Sequence, residues 1–251
     1  MSFKVKNISG IFVFTFTVLT WQLFAKYHLI NNFILPAPQK IIESLLSIIY
    51  SKELLLHICA SFYRVGMGFL LSVAFGIPLG MLLYEFKTLN SIFLPMLSFL
   101  KPIPPIAWMP LALLIFGLGN ASAIFLTFIS SFGPLVFNTF WALEKISKDH
   151  LDVGRCFNLS FTAKWKYIII PSTLPDIFDS IRLAFSLAWM AVVAAEMISA
   201  QNGLGHLITS AQDTLRSDLV IIGMLTIGAI GFTFDWLMKF FIRKFFPWKY
   251  S

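Results

Sequence analysis

The sequence predicts an all-α polytopic membrane protein, and three observations support this class. Of the 251 residues, 58% are hydrophobic and only 12% are charged, whereas soluble domains carry about 25% charged residues. The mean hydropathy is +0.81, which is too apolar for one soluble core to hide. The apolar residues also fall into long runs, and a helix needs about 20 such residues to cross a bilayer.

Six of these runs are long enough to cross a membrane, and together they predict a single transmembrane domain over residues 1–251. The stretch 34–56 is also apolar, but Pro36, Pro38 and Lys40 interrupt it, so it predicts an interfacial helix. The predicted spans cover about 8–26, 58–84, 89–117, 121–143, 174–200 and 219–242.

Lysine and arginine residues are distributed unequally between the two sides of this arrangement. With the N-terminus inside, twelve of them fall on the inner side and four, Lys26, Lys40, Lys52 and Arg216, on the outer side. Cytoplasmic loops carry such an excess, so we expect a multi-pass membrane protein with both termini in the cytoplasm. The net charge of +7 then reflects sidedness, and we expect contact with membrane lipid and not with nucleic acid. The inner residues are Lys4, Lys6, Lys87, Lys145, Lys148, Arg155, Lys164, Lys166, Lys239, Arg243, Lys244 and Lys249.

The segment 149–171, between the fourth and fifth spans, is longer and more polar than a connection between membrane helices requires. It predicts two short helices, 149–157 and 162–169. The Asn-Leu-Ser sequence between them would break the helix, because Asn tolerates a left-handed backbone and Ser caps helix starts. Pro171 and Pro175 would then fix the entry into the fifth span. The segment would either dock on a partner or lie on lipid.

The spacing in this segment resembles the coupling motif of the membrane subunits of ATP-binding-cassette (ABC) importers of the binding-protein-dependent type. That motif is Glu-Ala-Ala, three residues, Gly, nine residues, then Ile-x-Leu-Pro. The spacing is kept in full, with Asp for Glu, Val-Gly for Ala-Ala, and Asn for Gly. The matching positions are Asp152, Val153, Gly154, Asn158, Ile168, Ile170 and Pro171.

A second stretch, "LKPIPPIAWMPLALLIFGLG" at 100–119, resembles the Arg-Pro-Ile-Pro-Pro-Ile-Ala-Trp-x-Pro-Leu signature of the nitrate, sulfonate and taurine branch, with Lys101 in the Arg position. The resemblance implies a type I importer permease fold with cytoplasmic coupling helices. It also implies a second copy of the permease, ABC ATPase subunits that bind ATP and Mg, and a periplasmic or lipid-anchored solute-binding protein. The solute would be a small anion such as nitrate, a sulfonate or taurine; a neutral molecule such as a thiamine precursor is the alternative.

Prolines interrupt the third predicted span. A proline lacks an amide hydrogen and breaks the helical ladder, and irregular backbone at membrane depth must be buried in protein or line a cavity. We therefore expect Lys101, Pro102, Pro104 and Pro105 to line the translocation pathway. Alternatively, Lys101 would satisfy free carbonyl groups at the kink. The prolines of this span are Pro95, Pro102, Pro104, Pro105 and Pro110.

Arg64 and Glu196 fall at similar predicted depths in the second and fifth spans. Ionisable side chains in the hydrocarbon are costly, so such residues are candidates for a functional role. The two are expected to form an ion pair, which would either stabilise packing or contribute to the pathway.

The sequence contains none of the common catalytic motifs. It has no Gly-x-x-x-x-Gly-Lys-Ser phosphate loop, so we expect no ATP binding by this chain, and it has no metal-ligand spacing. A membrane enzyme with an intramembrane Glu/Lys pair is one rival interpretation, but it does not explain the spaced segment 149–171. A secondary transporter is another, but inverted repeats are not evident.

Overall fold

The computed structural model describes residues 16–17, 19–25, 27 and 35–247, and about half of the predicted first span, 8–26, lies outside them. Within the described residues the secondary structure is helical and contains no strand, which confirms the all-α class. Residues 16–17 and 19–25 are helical. From residue 38 onward the helices are α1 (Pro38–Tyr50), α2 (Glu53–Glu85), α3 (Lys87–Leu100), a 3₁₀ turn (Pro105–Trp108), α4 (Met109–Phe116), α5 (Asn120–Glu144), α6 (Lys148–Cys156), α7 (Phe161–Ser199), α8 (Leu204–Asp213) and α9 (Ser217–Phe245).

Four of these helices, α2, α5, α7 and α9, are long and apolar enough to cross a membrane. α3 and the segment Pro105–Phe116, which comprises the 3₁₀ turn and α4, pass the same test only when taken together, and they are bent by 95° at the break between them. The polytopic class is therefore confirmed, with four or five candidate spans in the described part of the chain. α1, with 13 residues, lies where an interfacial helix is predicted.

The described residues form two compact units. One contains described residues within Met1–Ala60 and Asn202–Gly228, and therefore α1 and α8. In this unit the amide of Gly203 donates a hydrogen bond to Nδ1 of His57 at 3.0 Å. The other unit contains Ser61–Gln201 and the described residues after Gly228, and its centre is α5 packed along α7.

Small residues let α2 approach α5 closely within the second unit. A Cβ atom added at Gly68 would lie 2.7 Å from the carbonyl oxygen of Ile124, and one at Gly80 would lie 2.8 Å from that of Val136. Close approach of backbones through small residues is a common way to pack helices in lipid. These glycines are therefore required by packing.

Hydroxyl groups connect the same two helices. Ser72 Oγ on α2 donates to the carbonyl oxygen of Phe128 at 2.9 Å, and Ser131 Oγ on α5 donates to Ser72 Oγ at 2.7 Å. Ser72 and Ser131 are both fully buried. The hydroxyl groups of Ser72 and Ser131 therefore both have hydrogen-bond partners, as burial in apolar surroundings requires.

In the third predicted span, the positions at which the helix is broken differ from those that the sequence predicts. Pro95 lies inside α3, and Pro110 lies in the first turn of α4, where a missing amide hydrogen leaves no bond unmade. The prediction that each proline breaks the helix is therefore wrong for these two. The break is confined to residues 101–104.

The prediction of a second short helix at 162–169 is also wrong, because these residues do not form a separate element. The chain runs as one helix, α7, of 39 residues from Phe161 to Ser199. A π-helical turn at Trp165–Ile169 replaces the expected break, and the amide of Ile170 bonds to the carbonyl oxygen of Trp165. This wider turn directly precedes Pro171 and accommodates its ring without ending the helix.

Candidate functional site

The break after α6 is set by Asn158, which has the left-handed backbone expected of it (φ +47°). The amide of Leu159 donates to the carbonyl oxygen of Gly154 at 3.1 Å, and the amide of Asn158 donates to that of Arg155 at 3.0 Å. These two bonds are the Schellman motif that ends many helices. Asn158 occupies the position at which the coupling motif has glycine, and it keeps the backbone geometry that glycine gives there.

Serine side chains cap the starts of both helices around this break. Ser147 Oγ accepts a hydrogen bond from the amide of Asp149 at 3.3 Å, and Ser160 Oγ accepts one from Ala163 at 3.4 Å. Such caps satisfy amide groups that have no partner within the helix. The local sequence thus defines a turn between α6 and α7.

Gly154 and Ile168 bring the two halves of the predicted motif into contact. A Cβ atom at Gly154 would lie 2.7 Å from Cδ1 of Ile168 and 3.8 Å from Cδ1 of Leu159. The next residue, Ile169, is fully buried. The glycine in α6 therefore has a packing reason, since it lets α6 lie directly against the start of α7.

Several apolar side chains of this segment face solvent in the single chain. Val153 is 52% exposed, Phe157 75% and Phe161 63%. Asp152 and Arg155 form an exposed ion pair at 2.8 Å. Exposed apolar side chains of this kind are available for contact with a partner or a membrane. Of the remaining motif positions, Ile170 and Pro171 are also exposed.

The predicted ion pair between Arg64 and Glu196 is confirmed. Nη1 of Arg64 lies 2.7 Å from Oε1 of Glu196, and the side chains are 3% and 0% exposed. Arg64 Nε donates to Oδ1 of Asn120 at 2.8 Å, and Ser61 Oγ donates to Oε2 of Glu196 at 2.8 Å. The network joins α2, α5 and α7, and its extra hydrogen bonds are what a buried charge pair needs to be stable.

The sequence reasoning missed Asn120, the first residue of α5. It follows Gly117 and Gly119, which both have positive φ (+71° and +126°) and make the turn into the helix. The Gly-Leu-Gly-Asn sequence signals a turn and a helix start. It does not reveal that the Asn120 side chain meets Arg64.

Lys101 lies at the C-terminal end of α3 beside the break, and its side chain is exposed. Its Nζ lies 5.5 Å from the ring centroid of Phe137 on α5, within the range of a cation–π contact. Among the described residues its ammonium group makes no hydrogen bond or ion pair. The kink is closed by backbone bonds instead, from Lys101 to Leu97 at 2.9 Å and from Ile103 to Leu100 at 3.1 Å.

The prolines of the break have different surroundings. Pro102 and Pro104 are exposed, and Pro105 is half-buried at the start of the 3₁₀ turn. Together with Lys101 they form an irregular, accessible backbone segment between two apolar helices. Such an arrangement can present a fixed positive charge to a passing anion.

A polar cavity of about 350 Å³ lies between α5 and α7, and the sequence reasoning did not predict it. Arg182 on its wall lies 3.8 Å from Asp179 and 3.7 Å from Asp235, and Lys239 lies 2.6 Å from Asp235. These groups form a half-buried charge network. Other residues that line the cavity include Asn138, Trp141, Lys145, Asp176 and Ser180.

The part of the chain that the structure describes contains no group of three or more His, Cys, Asp or Glu side chains that could hold a metal ion.

Comparison with known families gives a match over most of the chain. The family described as "Binding-protein-dependent transport system inner membrane component" matches residues 72–247. A putative ABC transporter permease protein of Methanocaldococcus jannaschii is 38% identical, over 92% of this chain and 88% of the relative. The taurine transport system permease protein of Escherichia coli is 30% identical, over 91% and 85%. A nitrate import permease protein of Synechococcus elongatus is 36% identical, over 78% and 72%.

Among solved structures, a chain of the MetNI methionine ABC transporter in an inward-facing conformation is similar in fold. The TM-score is 0.59 at 15% sequence identity, and the match covers 77% of this chain and 97% of the other. At this identity the likeness concerns the fold alone.

Proposed function

The chain belongs to the family of binding-protein-dependent transport system inner membrane components, and on that premise we propose that it carries a small anion into the cytoplasm by alternating access. Members of this family are permease subunits of ABC transporters and not enzymes. ATP hydrolysis resides in a separate subunit, and the family generally works with an ATPase and a solute-binding protein. The fold agrees with this membership.

The choice of an anion rests on Lys101 and on the relatives. Lys101 is exposed at the break between α3 and α4, and its ammonium group lies over the ring of Phe137. A positive charge near low-dielectric surroundings attracts an anion more strongly than it would in water. The named relatives transport taurine and nitrate, which both carry an anionic oxygen group. Lys101 is the single observation that carries this proposal.

Coupling to ATP hydrolysis would pass through the segment 149–171. A partner ATPase that binds ATP and Mg would grip α6, whose exposed apolar side chains Val153 and Phe157 offer a contact surface. Because Gly154 packs against Ile168, a displacement of α6 would be passed to α7. α7 then runs unbroken to Ser199, so the movement would reach Glu196 and the buried network at the other end.

The proposed assembly contains two permease copies, two ATPase subunits below them and a solute-binding protein outside. It would lie in a bacterial inner membrane with both termini of this chain in the cytoplasm, as the distribution of Lys and Arg suggests.

The solute can be tested on the cognate binding protein by titration calorimetry. Nitrate, taurine, an alkanesulfonate and a neutral pyrimidine would be compared under one buffer condition. We expect micromolar or tighter binding of one of the anions and at least a hundredfold weaker binding of the neutral compound. Tight binding of the neutral compound alone would overturn the anionic assignment but leave the permease role intact.

A further inference from the structure

Leu215 occupies a backbone conformation that its side chain disfavours. It lies just beyond the end of α8 with φ +55°, and the amides of Leu215 and Arg216 close a Schellman motif on Gln212 and Ala211 at 3.0 and 2.8 Å. Glycine or asparagine adopts this left-handed conformation with less strain than leucine. The Leu215 side chain is also 77% exposed. Neither backbone geometry nor core packing therefore explains a leucine here.

The Leu215 side chain stands at an open groove of about 580 Å³, which lies within one compact unit of the chain. The groove runs between the start of α1 and the turn that joins α8 to α9. Its lining combines apolar residues with charged ones. The lining residues are Pro36, Ala37, Lys40, Leu215, Arg216, Ser217 and Asp218.

The residues that line this groove carry an excess of positive charge, with Lys40 and Arg216 against Asp218. Lys40 is exposed and makes no ion pair or side-chain hydrogen bond with any described residue. Arg216 is 52% exposed and lies 3.0 Å from the buried carboxylate of Asp218, so its outer face remains accessible. Exposed apolar residues beside charged ones are typical of protein–protein interfaces, which combine apolar contacts with polar and charged groups around them.

We propose that this groove, with Leu215 as its apolar anchor, docks the solute-binding protein, whose carboxylates would pair with Lys40 and Arg216. The proposal rests on the proposed function, because the predicted topology places Lys40 and Arg216 on the outer face, where a binding protein delivers its solute. An exposed leucine could instead contact the outer lipid surface. A labelling experiment distinguishes contact with lipid from contact with the binding protein.

The sharpest variant is Leu215→Asn. Asparagine accepts the left-handed backbone, so the turn is kept and strain is relieved, while the apolar contact is lost. A matched control is Lys52→Asn, because Lys52 has the same left-handed conformation (φ +60°) after α1 and does not line the groove. The affinity of the cognate binding protein would be measured by biolayer interferometry on the permease–ATPase complex in nanodiscs, with the melting temperature of each complex.

We expect Leu215→Asn to weaken binding at least tenfold with an unchanged or higher melting temperature, and Lys52→Asn to leave the affinity within twofold. Lys40→Glu should also weaken binding, and more so at low salt, because a rim charge acts over the Debye length. Affinity within twofold of wild type for Leu215→Asn, or equal losses in both Asn variants, would overturn the docking site.

Failure of the wild-type complex to bind the protein at all would instead contradict the proposed function, and the docking site with it. The lipid alternative has its own signature. An environment-sensitive dye would be attached to Leu215→Cys in a chain whose native Cys59 and Cys156 are replaced by serine. If lipid covers this position, spin-labelled lipid would quench the dye fluorescence, and adding the binding protein would not change it. That result would also overturn the proposal.

Discussion

Arg64 and Glu196 are 132 positions apart in the sequence, yet their charged groups meet at 2.7 Å with almost no exposure to solvent. Because one residue lies on α2 and the other near the end of α7, the pair fixes these two helices to each other. Asn120 at the start of α5 and Ser61 on α2 complete the hydrogen bonding.

Removing one partner of this pair should destabilise the subunit strongly. Glu196→Gln leaves the Arg64 guanidinium buried without a counter-charge, and such a loss costs about 3–5 kcal/mol. The thermal stability of the purified subunit in detergent would report it. The exchange Arg64→Glu with Glu196→Arg should recover part of the loss, and strict additivity of the two single changes would mean that the residues do not interact.

The close approach of α2 and α5 can be tested with two neighbouring glycines. Gly68→Ala should lower stability by about 1–3 kcal/mol, because the added methyl group would lie 2.7 Å from the backbone oxygen of Ile124. Gly66→Ala on the same helix meets nothing within 4 Å and should be neutral or slightly stabilising, since alanine favours helix. The measurement is the melting temperature of each variant; equal shifts would show that α2 does not contact α5 through Gly68.

The contact between Gly154 and Ile168 predicts a graded effect on coupling. The one close contact of Gly154→Ala is with the terminal methyl group of Ile168, which can rotate away, whereas Leu159 lies at an ordinary contact distance. The variant should therefore couple nearly normally. Gly154→Trp, or deletion of 152–158, should allow membrane insertion but abolish the stimulation of ATP hydrolysis by loaded binding protein in the reconstituted complex. Normal stimulation after the deletion would disprove docking of the ATPase on this segment.

Lys101 allows a test of the sign of the solute. Lys101→Met keeps the length and removes the charge, so uptake of an anion should fall at least tenfold while folded yield and basal ATP hydrolysis stay normal. Lys101→Arg should retain activity, because the family signature that residues 100–119 resemble has Arg at this position. Low folded yield of the Met variant would show instead that Lys101 supports the kink.

Local features of the site could be predicted from the sequence because they depend on neighbouring residues. The left-handed Asn158 and the serine cap at Ser160 belong to this group. The ion pair of Arg64 with Glu196 was also predictable, since two opposite charges at equal depth in lipid gain greatly by meeting. Depth alone, however, does not give the direction in which a side chain points, and Asn120 was missed for that reason.

The errors concern proline and helix continuity. Pro95 lies inside a helix, because a membrane helix tolerates proline when other groups satisfy the freed carbonyl. Pro110 lies in the first turn of its helix, where no carbonyl is freed. At Pro171 a π-helical turn absorbs the ring, and the sequence contains no local signal for such a turn. The polar cavity between α5 and α7 likewise depends on tertiary packing of residues about 40 positions apart.

Uptake of labelled solute into proteoliposomes tests the central claim most directly. The vesicles would contain this permease with its ATPase, with ATP on the ATPase side and the loaded binding protein on the other side. We predict accumulation of the anion that the binding protein prefers, only when both ATP and the binding protein are present, and none with an ATPase unable to hydrolyse ATP. Accumulation driven by an ion gradient without ATP would contradict the account.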